Sequence, residues 1–77
     1  MAPDYSVIGR RIKQARLAHH MTQEELADKC SMTREYIGRI ESNKGMKYFS
    51  LYTIYIISIA LDIPIVCLFL PDKIYNI

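Results

Sequence analysis

Arg34, Glu35 and Arg39 lie within the stretch SMTREYIGRIESNK, residues 31–44, at a spacing that puts them on one side of a helix around a bare Gly38. Their chemistry is polar recognition. A guanidinium can donate two parallel hydrogen bonds to a planar acceptor pair, and a carboxylate can accept from an amino group. A second reading is a solvated face: Glu35 precedes Arg39 by four residues, the favourable order for an ion pair worth only about 0.3 kcal/mol. Catalysis is not indicated. The adjacent His19 and His20 and the scattered acids form no nucleophile–base arrangement. No metal site is expected either, because Cys30, Cys67 and the two histidines lack the spacing of four ligands. The two cysteines read as buried, reduced thiols of a cytoplasmic protein.

The 77 residues suffice for one domain with one small core. A hydrophobic fraction of 51% with 23% charged residues is that of a folded chain. Charge is unevenly spread. Residues 1–49 hold nine Lys/Arg against six Asp/Glu, whereas residues 50–77 hold Lys73 against Asp62 and Asp72. The basic excess lies in the half that contains Arg34 and Arg39, which favours an anionic partner there. The apolar run 49–70 is long enough to suggest a membrane span, but Asp62 and Pro64 divide it into pieces too short to cross. Asp4 and the charges from Arg10 onward interrupt any early signal-like segment.

Periodicity predicts five helices with short connections and no convincing strand. The first, over about 5–19, is capped by Asp4 or Ser6 and carries Ile8, Ile12 and Ala15 inward. The second, over about 23–30, opens with a capping box in which Thr22 is the N-cap and Glu25 the reciprocal partner. The third, over about 33–42, begins at Thr33, buries Tyr36, Ile37 and Ile40, and stops at SNKG. Ser50 caps the fourth, over about 50–61, despite a β-branched run that locally favours a strand. Pro64 opens the fifth, over about 64–70.

The second and third helices are joined by two or three residues, so they must cross steeply and share a small contact. Counting Gln23 as the first position, Ala27 is fifth, Ser31 ninth, Met32 tenth, Ile37 fifteenth and Ile40 eighteenth. This pattern resembles the helix-turn-helix of the phage repressor/Cro-type transcriptional regulators. IGRRIKQAR, MTQEELADKC, REYIGRIE and SLYTIYIISIALDI fall in that family's order over about residues 7–70. The pairing of Arg and Tyr in TREYIGRIE looks closest to the restriction–modification controller branch. The turn position that is usually Gly is Ser31 here, which is strained if it must take φ > 0.

The resemblance implies a dimeric DNA-binding regulator with its third helix in the major groove and half-sites about 34 Å apart. In that setting Arg34 suits guanine, Glu35 suits a cytosine amino group or holds an Arg, and Arg39 meets a base or a phosphate. Thr33 is a cap that could also meet a base edge, and Tyr36 is either core edge or phosphate contact. The family uses the glutamine at position 23 at the DNA surface, against a phosphate and beside the recognition helix, and Gln23 joins Thr33, Arg34, Glu35 and Arg39 as a base-contact candidate. Thr22, Asn43, Lys44 and Lys47 are phosphate candidates; Arg10, Arg11 and Lys13 read as solvated surface. Similar proteins pair an Arg late in the first helix with a Glu ending the third, which assigns Arg16 and Glu41 to a structural ion pair. Gly38 has its compensation in close approach either of DNA or of the second helix.

The fourth helix has two apolar faces. Leu51, Ile54, Ile57, Ser58 and Leu61 form the expected core side. Tyr52, Tyr55, Ile56 and Ile59 form a second stripe, which with Ile65, Val66 and Phe69 suits self-association. Alternatively the tail DKIYNI, with Ile74, Tyr75 and Ile77, folds over it, or another protein docks there. The resulting expectation is a single all-α domain over 1–77 that binds double-stranded DNA as a homodimer. It needs no cofactor, small-molecule substrate or membrane. The rival is a protein-docking module, antitoxin-like or regulator-binding, that has kept the fold.

Overall fold

A computed structural model describes residues 5–42 and 49–69. Among these, four α-helices and one 3-10 turn are present and no strand. They are α1 (Tyr5–Ala18), α2 (Gln23–Cys30), α3 (Arg34–Ser42), α4 (Leu51–Ala60) and the turn Ile65–Leu68. The class is all-α, with a last element shorter than the expected helix. Pro64 has ψ near 137°, so it stands just outside the turn instead of opening a helix. Its missing N–H and fixed φ suit that boundary.

Local chemistry explains most ends. The Thr22 Oγ1 accepts from the Glu25 N–H at 3.0 Å, and the Thr22 N–H donates to Glu25 Oε1 at 2.8 Å, completing the capping box. These bonds hold the Glu25 carboxyl below the usual carboxylate range. The Thr33 Oγ1 caps α3 by accepting from the Tyr36 N–H at 3.1 Å. Ser50 caps α4 by accepting from the Thr53 N–H at 3.1 Å. Ser6 lies inside α1 and cannot be its N-cap; Asp4 lies outside the described residues. The end of α1 is marked by His20, whose φ is 57°.

The core is built from Ile8 and Ile12 of α1, Leu26, Ala27 and Cys30 of α2, and Ile37 and Ile40 of α3. Phe49, Ile54, Ile57, Leu61 and Leu68 complete it. Burial of Ile54 and Ile57 overrides the local strand preference of α4. Ser58 is buried but satisfied, since its Oγ donates to the Tyr55 carbonyl at 2.7 Å. Burial pushes the Cys30 thiol up, keeping it an uncharged core group. Leu51 corrects the expected core face: it is 64% exposed at the first residue of α4, one turn before the buried Ile54.

Two backbone positions set how tightly the helices approach. A Cβ on Gly9 would run into the backbone carbonyl of Ile40, so α1 touches the end of α3 through bare backbone. Ser31 ends α2 in the left-handed region, with φ 56° and ψ 42°. There the Met32 N–H reaches the Ala27 carbonyl at 2.8 Å and closes the turn. Ser31→Gly is therefore expected to stabilise by about 1 kcal/mol by relieving the strain, while Gly9→Ala should cost about 3 kcal/mol through overpacking. Thermal unfolding of the two variants beside wild type checks both signs; a neutral Gly9→Ala would refute the close approach.

Candidate nucleic-acid interface

Helix α3 is divided by its own periodicity. Ile37 and Ile40 are fully buried, and Tyr36 is half-buried against the same core. Thr33, Arg34, Glu35, Arg39 and Ser42 are exposed on the other side. Among the described residues, no hydrogen bond or ion pair engages the side chains of Arg34, Glu35 or Arg39. The expected Glu35–Arg39 pair is thus not formed, and all three groups are available to an outside partner. The weak attraction of an exposed pair does not offset the rotamer freedom lost on holding it.

The orientation of this face depends on a buried charge pair. Arg16 Nε donates to Glu41 Oε2 at 2.7 Å, and Arg16 Nη2 donates to Glu41 Oε1 at 3.0 Å. The third nitrogen, Nη1, donates to the Met21 carbonyl at 2.8 Å. The two side chains are only 8% and 3% exposed. One guanidinium therefore ties α1 to the end of α3 and to the connection that leads into α2.

Glu41 Oε1 also accepts from the Gln23 Nε2 at 3.1 Å, which adds the first residue of α2 to the network. Thr22, Gln23 and Arg34 line one shallow recess of about 650 Å³, together with Leu17, Met21, Glu24 and Arg16. The start of α2 and the start of α3 therefore form one surface. Among the described backbone donors of the first turn, the Thr22 and Glu25 N–H groups are used by the capping box. The Gln23 and Glu24 N–H groups have no partner within the helix, as at any helix start. The Thr22 hydroxyl accepts from Glu25 and keeps its own proton to donate.

Gly38 lies on the flank of α3 nearest α2. A Cβ there would sit 3.7 Å from Gln23 Oε1 and 3.8 Å from Gln23 Nε2, ordinary contacts. Helix packing thus does not demand glycine at 38, whereas it does at Gly9, a position whose role sequence reasoning missed. Asn43, Lys44 and Lys47 lie outside the described residues. Arg11 is half-buried and differs from the plain solvated charge expected of it, while Arg10 and Lys13 are exposed.

A helix-turn-helix family model matches residues 12–66, most of the chain. The chain belongs to the phage repressor/Cro-type helix-turn-helix family of DNA-binding transcriptional regulators. The family and fold are those of proteins that are not enzymes. Among solved structures, the restriction–modification controller protein C.AhdI of Aeromonas hydrophila is 35% identical. That likeness covers 86% of this chain and 97% of that one, with a TM-score of 0.77. The restriction–modification controller protein C.Esp1396I is 34% identical, covering 84% and 82%, with a TM-score of 0.75. The N-terminal DNA-binding domain of SinR from Bacillus subtilis is 30% identical, covering 87% and 96%, with a TM-score of 0.78. No curated protein matches the chain. Among the described residues, no helix is long and apolar enough to cross a membrane, and no cluster of three His, Cys, Asp or Glu could hold a metal ion.

Removing one half of the buried pair isolates the other. Arg16→Met is expected to destabilise by about 3–5 kcal/mol, because Glu41 stays buried without its counter-charge. Urea unfolding measures this, and a loss below about 1 kcal/mol would show that the pair does not fix the helices.

Proposed function

We propose that the chain binds a two-half-site operator as a homodimer, with α3 in the major groove, and regulates transcription by occupying that site. The observation that carries this reading is the exposed set Arg34, Glu35 and Arg39, unpaired among the described residues, on a helix whose other side buries Ile37 and Ile40. Arg34 would donate to guanine O6 and N7, and Glu35 would accept from cytosine or steer an arginine. Arg39 would reach a base or phosphate, and Thr33 a base edge beside its capping role. Thr22, Tyr36, Asn43, Lys44 and Lys47 would hold phosphates and set the register. The two controller proteins at 34–35% identity favour a controller of restriction–modification genes.

Dimerisation would use the outward face of α4. Tyr52 is 72% exposed and Ile59 58%, and Tyr55, Val66 and Phe69 are exposed beside them. Ile56 and Ile65 are half-buried against the core, so they flank this surface instead of forming its centre. Leu51 joins it: with Tyr52, Tyr55 and Ile65 it lines an almost wholly apolar groove of about 350 Å³. A chain of this size gains from covering such a surface with a second copy. The same surface supports the second reading, a module that docks another protein.

A salt series with DNA from upstream of the protein's own gene tests the first reading. Binding should weaken steeply with salt, and Arg34→Ala should lose about 1–3 kcal/mol together with preference at one base pair of each half-site. Salt-independent binding, or no binding to any duplex beside a tight protein partner, would overturn it in favour of docking. For the dimer, Ile59→Asp should shift the sedimentation coefficient to that of a monomer. An unchanged coefficient would remove this face as the interface.

A further inference from the structure

The apolar groove beside α4 has one of the last described elements as a wall. Leu51, Tyr52 and Tyr55 of α4 line it together with Ile65 of the 3-10 turn, which packs on that helix. Tyr52 is 72% exposed, Leu51 64% and Tyr55 50%, so much apolar surface stands in water there. Covering it is favourable in proportion to the area removed from water. The whole of α4, LYTIYIISIA, carries no charge. An occupant is therefore selected by apolar fit, and a strongly acidic or basic partner finds no complementary field on this helix.

The chain itself supplies a candidate. Phe69 is the last described residue, and residues 70–77, LPDKIYNI, follow it outside the described set. A 3-10 turn rises about 2 Å per residue, so residue 70 starts about 10 Å from Ile65, a wall of the groove. Eight extended residues span up to about 26 Å, and the ten residues of α4 measure about 15 Å. The segment is thus long enough to lie along the groove of its own chain. Leu70, Ile74 and Ile77 recur at steps of four and three, with Tyr75 beside them. Asp72 and Lys73 cancel in charge. An apolar segment without net charge meets an apolar groove without charge.

We propose that residues 70–77 fill the groove of their own chain in the monomer, and that a second copy must displace them to dimerise. The inference rests on the reading that the outward face of α4 is the dimer interface. Both occupants need Tyr52 and Tyr55, so they exclude each other. They differ in concentration. A segment tethered this closely is presented to its groove at an effective concentration in the millimolar range, whereas a second copy is present only at the concentration of the protein. The tethered segment has the advantage in dilute solution and loses it as the protein accumulates. It is an autoinhibitory contact that raises the concentration at which a two-half-site operator fills.

The test is a sedimentation series over protein concentration for the full wild-type chain and for the double variant Ile74→Asp with Ile77→Asp. Nuclear magnetic resonance of dilute wild type accompanies it. The variant should dimerise at about tenfold lower concentration, because its groove is no longer occupied from within. Dilute wild type should show contacts between the methyl groups of Ile74 or Ile77 and the rings of Tyr52 or Tyr55. Dimerisation at the same concentration in both proteins overturns the proposal, since the segment then competes with nothing. Weaker dimerisation of the variant also overturns it, since the two isoleucines then belong to the dimer contact. Methyl–ring contacts that are missing from dilute wild type, or that grow with concentration, overturn it whatever the variant does. If neither protein dimerises at any concentration, the dimer reading falls and the inhibitory role with it; the methyl–ring contacts of the monomer still report whether the segment fills the groove.

Discussion

Every helix that meets the candidate DNA surface is tied to one buried guanidinium. Arg16 spends three nitrogens on Glu41 and on the Met21 carbonyl. Apolar packing alone would let α3 roll on Ile37 and Ile40 at little cost, because dispersion contacts have weak directionality. A two-bond contact between a planar fork and a carboxylate does not allow that roll. The price is desolvation of both charges, which well-packed apolar residues would have avoided. What the pair adds is direction: it settles which side of α3 faces out, and a second acceptor site on Glu41 carries that direction to Gln23.

Small size explains the other surface. The described residues do not bury the apolar content of α4 on both sides, and Ile74, Tyr75 and Ile77 of the tail lie outside them. The core takes Ile54, Ile57 and Leu61 and leaves Tyr52, Tyr55 and Ile59 in water. The two proposed faces are thereby separated by chemistry. The basic half of the chain carries the proposed polar readout, and the other half an apolar patch that a second copy would cover by matching it with itself. In this proposal dimerisation and DNA binding would strengthen each other without sharing residues.

Sequence reasoning reached what short-range rules control. The capping box of Thr22 and Glu25, the bounds of α2 and the inward set of α3 all follow from residue types within a few positions. Ser31 is the awkward turn residue of the pattern, and its φ is 56°. Nothing local distinguishes a glycine between Ile8 and Arg10; its need comes from the Ile40 carbonyl, thirty-one positions away. Leu51 fits the inward periodicity of α4, but periodicity does not say where the core stops. Pro64 suits either side of a helix start, and its own ψ placed it outside. The Glu35–Arg39 pair has the right spacing and too little energy to form.

Gly9 and Gly38 together separate the demands of folding from those of binding. Each is helical, and each costs roughly 1 kcal/mol relative to alanine if nothing else acts. At Gly9 something does act, since any side chain would strike the backbone of α3. At Gly38 a Cβ fits at ordinary distance, so helix packing does not recover the cost. The same holds for the exposed α4 face, which folding alone would make polar. Gly38 and the exposed α4 residues, which the isolated fold leaves below its own optimum, fall on the two faces proposed for DNA and for a second copy; Ser31, strained in its turn, does not. That distribution is expected of a chain whose stability has been traded for contacts made outside itself.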